Sequence, residues 1–212
     1  MFSLRASAAS AASAAVAALL LAGAGVSSGA VAAPPPVSRF HDGSFEYPRA
    51  PANLFTPYFP GEDIGPWSVS LGAVDLIGAG TWQAAEGDQS VDLNGTSAVS
   101  QTFTTTPGTA YTVTYALAGN PTDTAPAVKT GKVLIDGQEF QNFSFDVTGK
   151  TYAAMGYVNR QFAFVANAST TTIAFVSTTG PTAANGPVID DVRVEARSSC
   201  PSSCDHRDAA HR

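Results

Sequence analysis

From residue 39 to 196 the chain alternates large apolar residues with small or polar ones, a period of two broken repeatedly by Gly, Pro, Asn and Asp. Side chains on an extended backbone point to opposite faces in turn, so short Val-, Ile-, Phe- and Tyr-rich runs with this period are strands. No segment sustains the i, i+3, i+4, i+7 apolar spacing of a helix. The pattern predicts strands over 67–70, 74–77, 89–93, 99–104, 110–118, 132–135, 140–146, 157–165, 171–177 and 188–195. About ten strands suit an all-β sandwich of two sheets. In 110–118, Tyr111, Val113, Tyr115 and Leu117 share one parity and face the expected core, while Thr112, Thr114 and Ala116 take the other. A pattern recurs: Phe103, a turn at Pro107-Gly108, then Tyr111-x-Val113-x-Tyr115, and later Phe162-x-Phe164, a turn near Asn167, then Ile173-x-Phe175. Both read as hairpins, and Asp136-Gly137 marks another tight turn.

The flanks are different in kind. Arg5, an Ala/Leu/Val run to Val26 and Ala30-Val31-Ala32 predict a signal peptide over 1–32 and hence a secreted protein, extracellular or loosely associated with the cell envelope. A proline-rich linker over 33–38 and a disordered polar tail over 197–212 bracket the domain, 39–196. No second apolar run approaches the roughly 18 residues that span a bilayer, so no membrane span is expected. Cys200 and Cys204 are the only cysteines, and export favours a local disulfide between them. A zinc cluster with His206 and His211 is the sharper alternative, but nothing apolar nearby would order its ligands.

Net charge is −6 with no Lys/Arg cluster, which argues against nucleic acid as a partner. Charged residues make up 13% of the chain and Thr, Ser, Asn, Gln and Gly are abundant, a composition common in exported β proteins that meet neutral, hydroxyl-rich ligands.

Two acidic motifs stand out. Asp42-Gly43-Ser44-Phe45-Glu46 opens what should be the first strand, and Gly186-Pro187-Val188-Ile189-Asp190-Asp191-Val192-Arg193-Val194 is the last. Strict alternation puts Asp190 inward with Val188, Val192 and Val194, and Asp191 outward with Ile189, Arg193 and Glu195. A buried carboxylate needs a hydrogen-bonding partner, a base or a cation. Calcium is the natural extracellular candidate, because it accepts six to eight oxygens in irregular geometry. Adjacent aspartates on opposite faces cannot flank a glycosidic bond as a catalytic pair. His41 is the only histidine in the domain, no Gly-x-Ser-x-Gly occurs, and neither cysteine lies within the fold, so no enzyme is expected.

For a sugar ligand, aromatic rings would stack on pyranose faces while amides and carboxylates reach hydroxyls. Tyr58, Phe59, Trp82, Tyr152 and Tyr157 lie in or beside Gly/Pro-rich loops, and Trp82, Tyr152 and Tyr157 are the chosen ligand-binding candidates. Trp67 reads as core. Asn94, Asn120 and Asn185 sit beside Gly or Pro and read as turn residues.

Gly43-Ser44-Phe45-Glu46, Trp67-Ser68-Val69, Val74-Asp75-Leu76-Ile77, Gln89-Ser90-Val91-Asp92-Leu93-Asn94-Gly95, Ser100-Gln101-Thr102-Phe103, Leu117-Ala118-Gly119-Asn120-Pro121 and Gly186-Pro187-Val188-Ile189-Asp190-Asp191-Val192 follow in this order. In that combination the domain resembles the family called domain of unknown function 642 (DUF642), most closely its bacterial choice-of-anchor C group. The resemblance implies a galactose-binding-like jelly-roll β-sandwich, similar to exported carbohydrate-binding modules and to plant cell-wall proteins that associate with polysaccharides. It also implies a structural calcium between the first and last strands, with Glu46 and Asp190 as ligands, Glu86 as a weaker third, and carbonyls near Ser44 and Gln89 as fillers. The competing assignment has Glu46 and Asp190 cap turns or pair with Arg39 or Arg193. Unlike the anchored group, the tail after Arg197 carries no hydrophobic segment or sorting motif. The expected function is a non-catalytic module that binds a polysaccharide or cell-envelope glycan. The alternative is a structural or adhesive surface protein that binds another protein and has no sugar site.

Overall fold

The computed structural model describes residues 40–122, 125–181 and 183–197. The leader, the linker and the Cys200–Cys204 pair lie outside the described residues. Among the described residues twelve strands form: β1 (Phe55–Tyr58), β2 (Asp63–Ile64), β3 (Trp67–Leu71), β4 (Val74–Ile77), β5 (Ser90–Leu93), β6 (Ala98–Thr104), β7 (Ala110–Gly119), β8 (Val128–Ile135), β9 (Gln138–Asp146), β10 (Val158–Val165), β11 (Thr170–Ser177) and β12 (Pro187–Ala196). One six-stranded sheet runs β1-β4-β5-β12-β7-β10 and the other β2-β3-β6-β11-β8-β9, and every pairing is antiparallel.

The pairing is nested. Strand β5 pairs with β12, β6 with β11, β7 with β10 and β8 with β9, as in a long double-stranded ribbon folded over on itself. That nesting, with neighbouring ribbon strands alternating between the two sheets, defines a jelly roll. All ten predicted strands are present. The added β1 and β2 escape the pattern because one carries Pro57 on a sheet edge and the other has two residues.

Tyr111, Val113, Tyr115 and Leu117 face the core as their parity requires, and Trp67 is wholly buried. Trp67 packs on Phe40, Phe45 and Phe175, and Tyr115 meets Phe143, Phe162 and Phe175 edge-on. These rings join the two sheets through the core.

Three expectations change. The two recurring motifs are not hairpins: β6 and β7 lie in different sheets, as do β10 and β11, so each turn is a corner that crosses the sandwich. The corners bond to each other, Thr105 N to Ser169 O and Gly108 N to Ala166 O, which accounts for their likeness. The Asp42 motif is a turn rather than a strand: Asp42 Oδ1 and Oδ2 accept from Glu46 N and Tyr47 N, and the turn drives Phe45 into the core. Finally, β12 carries a bulge between Asp190 and Arg193, with Asp191 at φ 47°. The extra residue reverses the alternation, so Val192 and Val194 keep to the core while Val188 and Asp190 lie on the opposite face.

Candidate functional site

The terminal motifs do meet. Val192 N donates to Gly43 O at 2.8 Å, and Gly43 sits so close that a Cβ there would lie 1.9 Å from Val192 O. Asp190, fully buried, accepts at Oδ2 from Ala85 N (2.7 Å) and Glu86 N (3.1 Å) and at Oδ1 from Asp191 N (2.6 Å). Glu46 Oε1 accepts from Asp88 N (2.7 Å) and Gln89 N (2.8 Å), and its Oε2 faces Arg49. Between them the buried Gln89 amide donates Nε2 to Phe45 O (2.6 Å) and Pro48 O (3.0 Å) and accepts at Oε1 from Ala50 N.

In this fold the residues expected to hold calcium are engaged within the protein. Both carboxylates are turned toward main-chain N–H donors, whose positive ends would repel a cation, and the Phe45 carbonyl is taken by Gln89. Glu86 is exposed, and its main-chain N–H is what reaches Asp190. Among the described residues no three acidic, histidine or cysteine side chains are grouped so that they could hold a metal ion. The turn-capping assignment matches the observed bonds. Asp191 pairs with Arg193 at 2.7 Å.

A second constellation lies on the same sheet. Asp75 on β4 is directly opposite Asp92 on β5, Asp92 is opposite Val188 on β12, and Val188 is opposite Ala118 on β7. Leu117 points into the core, so this row faces away from the second sheet. The loop 78–89 folds over part of it. Trp82 Nε1 donates to Ser90 Oγ at 2.9 Å, and Gln83 N donates to Tyr152 O at 2.8 Å, which ties this loop to the 147–157 segment. Where the row stays uncovered there is a cleft of about 630 Å³, lined by Phe55, Asp75, Trp82, Asp92, Asn94, Asn120, Tyr152 and Asn185 among others.

Its polar groups are tightly organised. Asp92 Oδ2 accepts from Asn120 Nδ2 at 2.6 Å and Oδ1 from Gly186 N at 2.9 Å. Gly186 is required there, since a Cβ would lie 1.7 Å from Leu93 O. Asn120 Nδ2 also reaches Asn185 Oδ1 (3.0 Å), and Asn94 Nδ2 donates to Asp75 Oδ2 (2.8 Å). Burial pushes the Asp92 carboxyl up to about 7, reinforced by the charge of Asp75 and opposed by Asn120, Gly186 N–H and the buried Lys129. Burial also raises Asp75 against the pull of Asn94, and it raises Asp190 to about 7 against three main-chain hydrogen bonds.

Of the aromatic candidates, Trp82 and Tyr152 come together with ring centroids 6.0 Å apart, Trp82 as an almost buried wall and Tyr152 as a rim residue 44% exposed. Tyr157 lies apart from the cleft lining. It packs partly buried on the core, and burial raises its hydroxyl, opposed by Ser90 and reinforced by the charges of Asp190 and Asp92. Tyr58 packs on the core and Phe59 is exposed. Sequence reasoning passed over Phe55, Asp75 and Asp92, and read Asn94, Asn120 and Asn185 as turn residues only. The available signal was the repeated placement of Asp and Asn on one parity of short apolar strands, in Val-Asp-Leu and Val-Asp-Leu-Asn.

The molecule is thus a jelly-roll β-sandwich with an aromatic-walled, acid- and amide-lined cleft on one sheet. The family model described as "Protein of unknown function (DUF642)" matches residues 38–195, and the chain belongs to that family. Similar solved structures include TmCBM61 in complex with β-1,4-galactotriose, at 18% identity and a TM-score of 0.46 over 76% of this chain and 99% of that one. Another is the CBM22-1 xylan-binding domain of Paenibacillus barcinonensis Xyn10C, at 13% identity and 0.46 over 71% and 99%. A family 35 carbohydrate binding module from Clostridium thermocellum matches at 15% identity and 0.45 over 66% and 97%. No curated protein matches the chain.

Proposed function

We propose that this domain is a secreted, non-catalytic module that binds a polysaccharide or cell-envelope glycan in the β4–β5 cleft. The observation that carries the reading is the meeting of the Trp82–Tyr152 pair with two carboxylates and four amides in one concave site. Aromatic faces suit the C–H surfaces of sugar rings, and convergent oxygens suit their hydroxyls. Binding rather than catalysis is supported by Asp92, whose oxygens are both engaged by Asn120 and Gly186 and whose carboxyl is almost wholly buried. A glycan array with the full chain and with Tyr152→Ala tests this. Specific binding should weaken about tenfold in the variant with folding intact, because Tyr152 stands at the rim. A silent array with the wild-type chain would refute it.

The adhesive alternative has its own support in the groove lined by Phe140, Phe164 and Val165, where Phe140 and Val165 are about half exposed beside edge strands β9 and β10. Capture of one envelope protein, lost in Val165→Lys while the array stays silent, would favour it.

A further inference from the structure

Resting on the reading that the cleft holds a glycan, we infer that it selects neutral chains and rejects carboxylated ones. Several of the side-chain donors at its lining are engaged within the protein. Asn120 Nδ2 donates to both Asp92 and Asn185, Asn94 Nδ2 donates to Asp75, and the Thr81 hydroxyl donates to Leu54 O. The charged groups at the lining are carboxylates, Asp75 and Asp92. Asp75, partly exposed, uses Oδ2 for Asn94 and keeps Oδ1 without a partner among the described residues.

A sugar hydroxyl can donate to such oxygens, whereas a carboxylate or sulfate can only accept. None of the described residues lining the cleft is Lys, Arg or His, so an anionic ring would approach Asp75 with no cation to offset the repulsion. Phe55 and Tyr152 at the rim offer apolar contact that is indifferent to charge, and discrimination therefore falls to Asp75.

The test uses the full chain and the neutral polymer that binds best on the array, compared by calorimetry at low salt with the same polymer oxidised at C6 to the uronate. The oxidised form should bind roughly tenfold weaker or worse. Asp75→Asn should narrow the difference, and Phe55→Lys, at an exposed position, should raise affinity for the oxidised form even if Asp75→Asn does not fold. Equal or tighter binding of the oxidised polymer, or an array that returns only acidic polymers, overturns the inference and leaves glycan binding standing. Absence of binding to every polymer overturns both.

Discussion

Asp190 accepts three main-chain N–H groups, and alanine in its place would leave all three facing a space without an acceptor. The three bonds are only partly buried, so water can replace some of what is lost, and Asp190→Ala should lose about 2–3 kcal/mol in urea unfolding. Gln89 behaves alike: Gln89→Leu would strand two carbonyls and the Ala50 N–H, for about 2–3 kcal/mol. Neither loss should depend on metal. A chelator should leave the wild-type melting temperature unchanged, and a chelator-sensitive shift of several degrees would restore calcium to this site. The sequence made the need for a partner legible, because an aspartate among valines must be compensated. It hid the kind of partner, since main-chain N–H groups of the 78–89 loop leave no mark in residue identity. It also hid the direction, because a single residue at positive φ, Asp191, moves Asp190 to the other face of the sheet.

At the level of elements, the 78–89 loop has no strand of its own after β4 yet is pinned at four places: by Asp190 on Ala85 and Glu86, by Glu46 on Asp88 and Gln89, by Tyr152 O on Gln83 N, and by Ser90 on the Trp82 ring. Hydrogen exchange should therefore find Ala85, Glu86, Asp88 and Gln89 amides protected well above an ordinary surface loop. In Asp190→Ala, exchange at Ala85 and Glu86 should rise while β7 and β11 stay protected; uniform deprotection would mean that the latch and the sandwich unfold as one unit. The strands themselves were readable from period-two alternation, since burial on one face writes itself into composition. Register was not. That Asp75 falls opposite Asp92 follows from the register of β4 on β5 across the 78–89 loop, and Asn120 joins them because the distant β12 pairs with both β5 and β7, so the cleft was invisible although each of its residues was in plain view.

For the molecule as a whole, the raised carboxyls set the direction of its pH dependence. Asp92 and Asp190 are each carried from 3.8 to about 7 by burial. Between those values the folded protein holds protons that the unfolded chain has already released, so stability falls as pH rises through the window and is greatest near its acid end. Asp42 and Asp75, also raised by burial, act in the same sense. Asp146, lowered by Thr148, opposes them, but it is exposed and solvent screening leaves it little influence. The melting temperature should therefore be higher near pH 5 than near pH 8, by an amount corresponding to a few kcal/mol at most. Asp92→Asn keeps the shape and removes the titration, and it should flatten the slope by about half, because Asp190, with the smaller contributions of Asp42 and Asp75, would then carry it. A wild-type melting temperature that rises from pH 5 to 8 would mean that the hydrogen bonds from Asn120, Gly186 and the 78–89 loop outweigh burial, and that these carboxylates are ionised parts of the fold throughout.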